Sequence, residues 1–236
     1  MRDKVIAIDG PSGSGKSTIA KIIASKLSLT YLDTGAMFRA IAYHVSKLNI
    51  DFSKAELTDT ESSELEACLS KMNFEYGVDE RTLIRIDNED LTQKIREHFV
   101  SELASKTSKF PIIRNYLKSK QRDIAKLKPS VLEGRDIGTV IFPNAAVKIF
   151  LTASSEIRAQ RRFDQLVEIN PENSKLHSVE SILKDIKLRD DQDQSRETAP
   201  LKKADNAIEL DTTAMDIEEV VNAITNEYNN KKELFI

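Results

Sequence analysis

Residues 10 to 17, Gly-Pro-Ser-Gly-Ser-Gly-Lys-Ser, satisfy the spacing G-x-x-x-x-G-K-[ST]. Glycines at such intervals let the backbone wrap tightly, so that several N–H groups point at one set of phosphate oxygens. On that reading Gly10, Pro11, Ser12, Gly13, Ser14 and Gly15 form a cradle. Lys16 reaches the β- and γ-phosphates of a nucleotide, and the Ser17 hydroxyl sits on its Mg²⁺. A Gly/Ser turn that matches by chance is the alternative, and the flanks speak against it. Before the loop, Lys4-Val5-Ile6-Ala7-Ile8-Asp9 is the apolar run of a buried strand. After it, Ile19, Ile22, Ile23 and Leu27 recur at helical spacing. The loop therefore feeds a helix whose N-terminus adds partial positive charge.

Further charged groups stand where a parallel sheet would present them to a ligand, beyond the carboxyl ends of its strands. Asp33-Thr34-Gly35, with Arg39 behind it, closes a second strand; helix capping by Asp33 or Thr34 is the plainer alternative. Glu133-Gly134-Arg135-Asp136-Ile137-Gly138 closes another. Arg135 suits bidentate phosphate recognition, and Asp136 can accept from an amino group or hold a metal-bound water. A tight turn with a local ion pair would use the same residues. Arg189, Asp193 and Arg196 continue the apolar stripe of Ile182 and Ile186, so an inward face changes from aliphatic to charged. Arg189 can pair with Asp193 across one turn, which leaves Arg196 to grip an anion. A solvated charged helix is the competing interpretation. Arg158, Arg161 and Arg162 share one helix face, either as a lid over phosphates or as a solvated basic patch.

These groups need a scaffold. Strands are expected at Thr30–Leu32, Ser130–Glu133, Val147–Leu151 and Ala207–Leu210, besides the first. Helical patterns between them imply a five-stranded parallel sheet covered on both faces. A final helix carries Ile217, Val220, Val221 and Ile224 as one stripe after a cap at Thr213 or Asp216. Two stretches break the rhythm. Residues 51–108 contain an alternating pair, Met72–Tyr76 and Thr82–Ile86, with a turn near Asp79-Glu80, which predicts a small antiparallel sheet. Residues 158–196 are charged and helical, with a loop at Asn170-Pro171-Glu172-Asn173-Ser174. Both insertions are candidates for a substrate clamp and lid.

The chain has 236 residues, 40% hydrophobic and 31% charged, with a net charge of -3. That suits one large α/β domain and argues against a general nucleic-acid or membrane-surface binder. With one cysteine, Cys68, no intrachain disulfide is possible. The first strand lies close to Met1, so no signal peptide is expected, and no apolar run reaches the roughly 20 residues of a membrane span. A cytoplasmic protein is expected. His44, His98 and His177 have no metal-ligand spacing.

Taken in order, these blocks resemble the bacterial cytidylate kinases among the nucleoside monophosphate kinases. The likeness rests on Ile8–Ser17, Leu32–Arg39, Phe110–Arg114, Glu133–Pro143, Val147–Leu151 and Arg189–Arg196, and so covers nearly the whole chain. It implies a P-loop NTPase three-layer fold with a five-stranded parallel sheet. The core would be 1–50, 109–157 and 197–236, the monophosphate-binding insertion 51–108, and the helical lid 158–196, all in one domain. It implies transfer of the ATP γ-phosphoryl group to CMP or dCMP with Mg²⁺, by a monomer. ATP would lie against Gly10 to Ser17, Thr18 and Arg161, or its neighbours Arg158 and Arg162. Ser105, Arg114 and Asp136 would read cytosine, and Thr34 would help to bind CMP. Asp193 and Arg189 would serve the sugar side, and Arg39, Arg135 and Arg196 the acceptor phosphate. Lys16, Arg135, Arg189 and Arg196 would be catalytic, with Asp33 or Asp136 orienting Mg²⁺-bound water. Phe38 stands where tyrosine is frequent, Thr34 where serine is, and Glu133 where aspartate is. Rival readings are a P-loop kinase for another small acceptor such as GMP or shikimate, or a non-catalytic nucleotide switch. The Asn-Lys-x-Asp motif of the latter is absent.

Overall fold

The computed structural model describes residues 2–79, 81, 83–172 and 176–235. Of the expected turn and strand residues, Glu80, Thr82, Asn173 and Ser174 lie outside the described residues. In chain order the first elements are β1 (Asp3–Asp9), α1 (Lys16–Leu27), β2 (Thr30–Asp33), α2 (Thr34–Val45), α3 (Asp59–Lys71), β3 (Phe74–Tyr76), β4 (Ile84–Ile86) and β5 (Glu89–Asp90). There follow α4 (His98–Thr107), α5 (Pro111–Leu127), β6 (Ser130–Gly134), β7 (Ala145–Thr152), α6 (Ser155–Ile169), α7 (Val179–Ser195), β8 (Ile208–Asp211) and α8 (Ile217–Asn229). The chain forms two compact units. One takes the chain up to Leu32 and from Arg122 onward, and the other is Asp33–Gln121.

The first unit is an α/β layered fold around the expected five-stranded parallel sheet, in the order β2-β6-β1-β7-β8. β1 pairs in parallel with β6, from Val5↔Ser130 to Asp9↔Gly134. On its other side it pairs with β7, Ile6↔Val147 to Asp9↔Phe150. Because β1 has a hydrogen-bonded neighbour on each edge, its apolar run is buried throughout, and Val5, Ile6, Ala7 and Ile8 are at most 1% exposed. Ile19, Ala20 and Ile23 of α1 and Val220, Val221 and Ile224 of α8 join the same core. The stripe expected on α8 starts one turn late: Ile217 is 55% exposed. Its turn is a capping box in which the Asp216 side chain accepts from Glu219 N, and the polar residues of that turn all face solvent. β8 is also less covered than expected, with only Leu210 half-buried. Ala159 of α6 packs on Ile182 and Ile186 of α7 in a separate small cluster. Among the described residues no helix is long and apolar enough to cross a membrane.

The second unit holds the small antiparallel sheet, in the order β3-β4-β5. β3 and β4 pair as Phe74↔Ile86 and Tyr76↔Ile84, within the expected strand bounds. A third strand, β5, follows a two-residue turn at Asp87-Asn88, both at positive φ (47° and 70°). This is hairpin-turn geometry without a glycine.

Candidate active site

The phosphate loop leaves the C-terminal end of β1 at the centre of the sheet, where the chain's crossovers diverge to either side. Gly10 allows that exit, because a Cβ there would lie 2.0 Å from the Leu151 carbonyl oxygen. Gly15, at φ 89°, is the N-cap of α1, and no side chain caps the helix. The first N–H groups of α1 are thus left for an anion, in a field that favours one. Lys16 is 5% exposed. Its Nζ donates to Pro11 O at 2.6 Å and to Ser14 Oγ at 3.4 Å, folding the side chain back along the loop. Burial pushes the ammonium down from 10.5 to about 7; Arg135 and Arg189 push the same way, against Glu133 and Asp9. Two of the charges expected at this edge, Arg135 and Arg189, therefore act on Lys16.

Two acids at that edge were not singled out as site residues from the sequence. Ser17 Oγ donates to Glu133 Oε1 at 2.5 Å, and the Tyr31 hydroxyl donates to the same oxygen at 3.3 Å. A hydroxyl and a carboxylate side by side are hard oxygen donors of the kind Mg²⁺ takes. Asp9, the last residue of β1, is 5% exposed. Its carboxylate accepts from Ile137 N at 2.8 Å and Gly138 N at 2.7 Å, fixing the wide helical turn that follows Arg135-Asp136. Burial raises the Asp9 carboxyl to about 7, against the pull of those two bonds. The signal for both acids was available: each is an acid at or next to the C-terminal end of a largely apolar strand. Asp136 itself is buried, and its carbonyl accepts from Val140 N and Ile141 N.

The charged end of α7 does face inward, and Asp193 takes partners besides Arg189. Asp193 binds two guanidinium groups, one on each oxygen: Arg135 Nε at 2.9 Å and Arg196 Nη1 at 3.3 Å. Burial would raise the Asp193 carboxyl, but Arg135 and Arg196 outweigh it and hold the group below its usual range. Arg196 is thus already engaged, and its Nε also donates to Ala199 O at 2.9 Å. Helix α7 ends at Ser195, so Arg196 is its extended C-cap residue and does not continue the helical stripe. Arg189 is half-buried and contributes to the fields at both Asp193 and Lys16.

The three arginines of α6 separate. Arg158 is 5% exposed and donates to Ala153 O, Ser12 O and Asp190 Oδ2 at 2.9, 2.9 and 2.7 Å. Arg161 donates to the hydroxyl and carbonyl of Thr212 at 3.1 and 2.7 Å. Arg162 is exposed beside Gln165. Ser17 and Thr18 lie on the exposed side of the first turn of α1.

The second unit holds Thr34, Arg39, Ser105 and Arg114. Asp33 caps α2, with Oδ1 accepting from Ala36 N at 2.7 Å, and its other oxygen pairs with Arg39 at 3.5 Å. Capping, the plainer reading, is therefore part of what Asp33 does. Tyr76 of β3 adds a hydroxyl that accepts from Asp33 N at 2.7 Å. Thr34 is 3% exposed, in the first turn of α2. Arg114 is 7% exposed; its Nη1 donates to Ser108 O at 3.1 Å, and its guanidinium lies 5.3 Å over the Phe38 ring. Phe38 thus keeps the ring that matters for this contact without a hydroxyl. Ser105 is half-buried on α4, its carbonyl accepting from Ser108 Oγ at 3.1 Å.

A family model described as Cytidylate kinase matches residues 6–230 of this chain. A cytidylate kinase of Fusobacterium nucleatum subsp. nucleatum is 44% identical over 232 residues, 98% of this chain and 100% of the relative. One of Thermosipho melanesiensis is 43% identical over 97% of this chain and 98% of its own length. One of Carboxydothermus hydrogenoformans is 45% identical over 92% and 93% respectively.

Proposed function

This chain belongs to the cytidylate kinase family, and on that footing we propose that it transfers the γ-phosphoryl group of ATP to CMP or dCMP, giving CDP or dCDP and ADP. The observation that carries this for the chain's own residues is the buried Lys16 at the end of the phosphate loop, its ammonium depressed first by burial and further by Arg135 and Arg189. Two nucleotides bring roughly six negative charges that repel unless they are neutralised. Phosphoryl transfer asks little covalent chemistry of the protein, so positioning and charge neutralisation dominate.

ATP phosphates take the amides of Gly10 to Ser17 and the uncapped start of α1, with Thr18 and Arg161 completing the donor site. There they draw Lys16 away from the Pro11 carbonyl. When bound with ATP, Mg²⁺ supplies further charge neutralisation on the phosphates. Ser17 and Glu133 would hold it, and Asp33 or Asp136 would orient water beside it. Arg39, Arg135 and Arg196 hold the acceptor phosphate, while Asp193 and Arg189 take the sugar. The attacking phosphate oxygen is already ionised near neutral pH, so no general base is required. Ser105, Arg114 and Asp136 read the base, with Thr34 nearby in the same acceptor site. Cytosine places an amino donor beside the N3 acceptor, and uracil reverses both, which leaves buried polar groups unpaired and disfavours it. Residues 51–108 cover the acceptor and 158–196 act as lid, shutting out water that would waste ATP. The reading extends to a monomeric, cytoplasmic enzyme.

The test is ADP release from Mg²⁺-ATP with each nucleoside monophosphate in turn. CMP and dCMP should give the highest kcat/KM. A preference for GMP, or no turnover with any monophosphate, overturns the assignment.

A further inference from the structure

Arg158 engages three separate segments with its three guanidinium nitrogens: the turn before α6 through Ala153, the phosphate loop through Ser12, and α7 through Asp190. The loop is also packed against it, since a Cβ on Gly13 would come within 3.2 Å of the Arg158 Cβ. On α7, Asp190 precedes Asp193 by three residues, so both acids lie on one helix face. Asp193 in turn binds Arg135 and Arg196. The second oxygen of Asp190 is buried and has no hydrogen-bond partner among the described residues. That carboxylate is therefore kept in the interior by Arg158. A continuous set of charge-assisted bonds and one rigid helical turn thus runs from the loop to the arginines of the acceptor phosphate.

We propose that Arg158 and Asp190 are positioning residues that join the phosphate loop to α7, so that filling the donor site raises the affinity for the acceptor nucleotide. A nucleotide that draws Ser12 into its bound geometry fixes Arg158, and Arg158 fixes the face of α7 that presents Asp193. Linkage makes the effect reciprocal, so the acceptor tightens the donor by the same factor. The proposal rests on the reading of donor and acceptor as ATP and CMP.

Calorimetric titration of CMP, without and with saturating β,γ-imido-ATP and Mg²⁺, tests it. The unmodified protein should bind CMP about five- to tenfold more tightly with the analogue present. Asp190→Asn and Arg158→Lys should each cut that ratio below about twofold, while Asp190→Asn changes affinity for the analogue alone by under about threefold. Thermal melting of each variant accompanies the titrations. Unchanged ratios in both variants overturn the proposal, as does an unmodified protein with no tightening. Parallel loss of both affinities together with a large fall in Tm also overturns it, since the pair is then only a brace. Failure of the unmodified protein to bind CMP at all counts against the acceptor assignment instead. The ratio is then measured with whichever monophosphate it phosphorylates, and the same outcomes decide.

Discussion

The two units prepare their charged groups in opposite ways. In the first, ionisable groups are buried against one another at the end of the sheet. Asp9 is pushed up to about 7, Lys16 down to about 7, and Asp193 below its ordinary range. In the second, Arg39 rests on the capping residue Asp33, and Arg114 lies between a carbonyl and the Phe38 ring. In the first arrangement burial disfavours the charged forms of Lys16 and Asp9, and an anion beside Lys16 would favour its ammonium. The second is ordinary in its charge balance and specific in its geometry. On the proposed reading, phosphate neutralisation draws mainly on the first unit and base recognition mainly on Ser105 and Arg114 of the second, so substitutions in the two units should fail differently.

The largest expected effect is Lys16→Ala. It should lower kcat by ~10³ or more. Because the folded lysine binds its proton less tightly than the unfolded one, the unmodified protein gains stability as pH rises from about 7 towards 10.5. Melting curves of Lys16→Ala should lack that rise. If kcat falls but the pH-dependent rise persists, the rise has another source. Next, Arg114→Ala should raise KM for CMP about tenfold, and Phe38→Leu about two- to fivefold, with KM for ATP nearly unchanged in both. A kcat defect with normal CMP KM would erase the distinction between the units. The smallest effect is on stability alone. The folded Asp9 holds its proton up to about 7 and the unfolded one only to 3.8, so its contribution to stability is lost as pH rises through that window. The Tm advantage of the unmodified protein over Asp9→Asn should therefore shrink from pH 4 to pH 7. A constant difference would show that Asp9 is not buried as described.

The phosphate loop and the five parallel strands were readable because each signal is local: an apolar run, a glycine spacing, a helical stripe. β5 was not, being two residues long and reached through an Asp-Asn turn where glycine would have marked it. The inward face of Asp193 was readable from the continuation of Ile182 and Ile186. Its partner Arg135 was not, because it lies 58 residues away and pairwise contacts at that range leave no mark in spacing. Likewise Arg158, Arg161 and Arg162 share a face by arithmetic, yet only Arg158 turns into the interior. Residue spacing gives the face, while the neighbouring segment decides which side chain is swallowed.

Gly10 and Lys16, six positions apart, are constrained for unrelated reasons. At Gly10 any side chain would collide with the Leu151 carbonyl, so the position is closed to replacement whether or not the molecule turns over. The buried, depressed lysine brings the fold no such benefit. On the proposed mechanism, a descendant that gave up its chemistry would therefore keep the glycine and lose the lysine first.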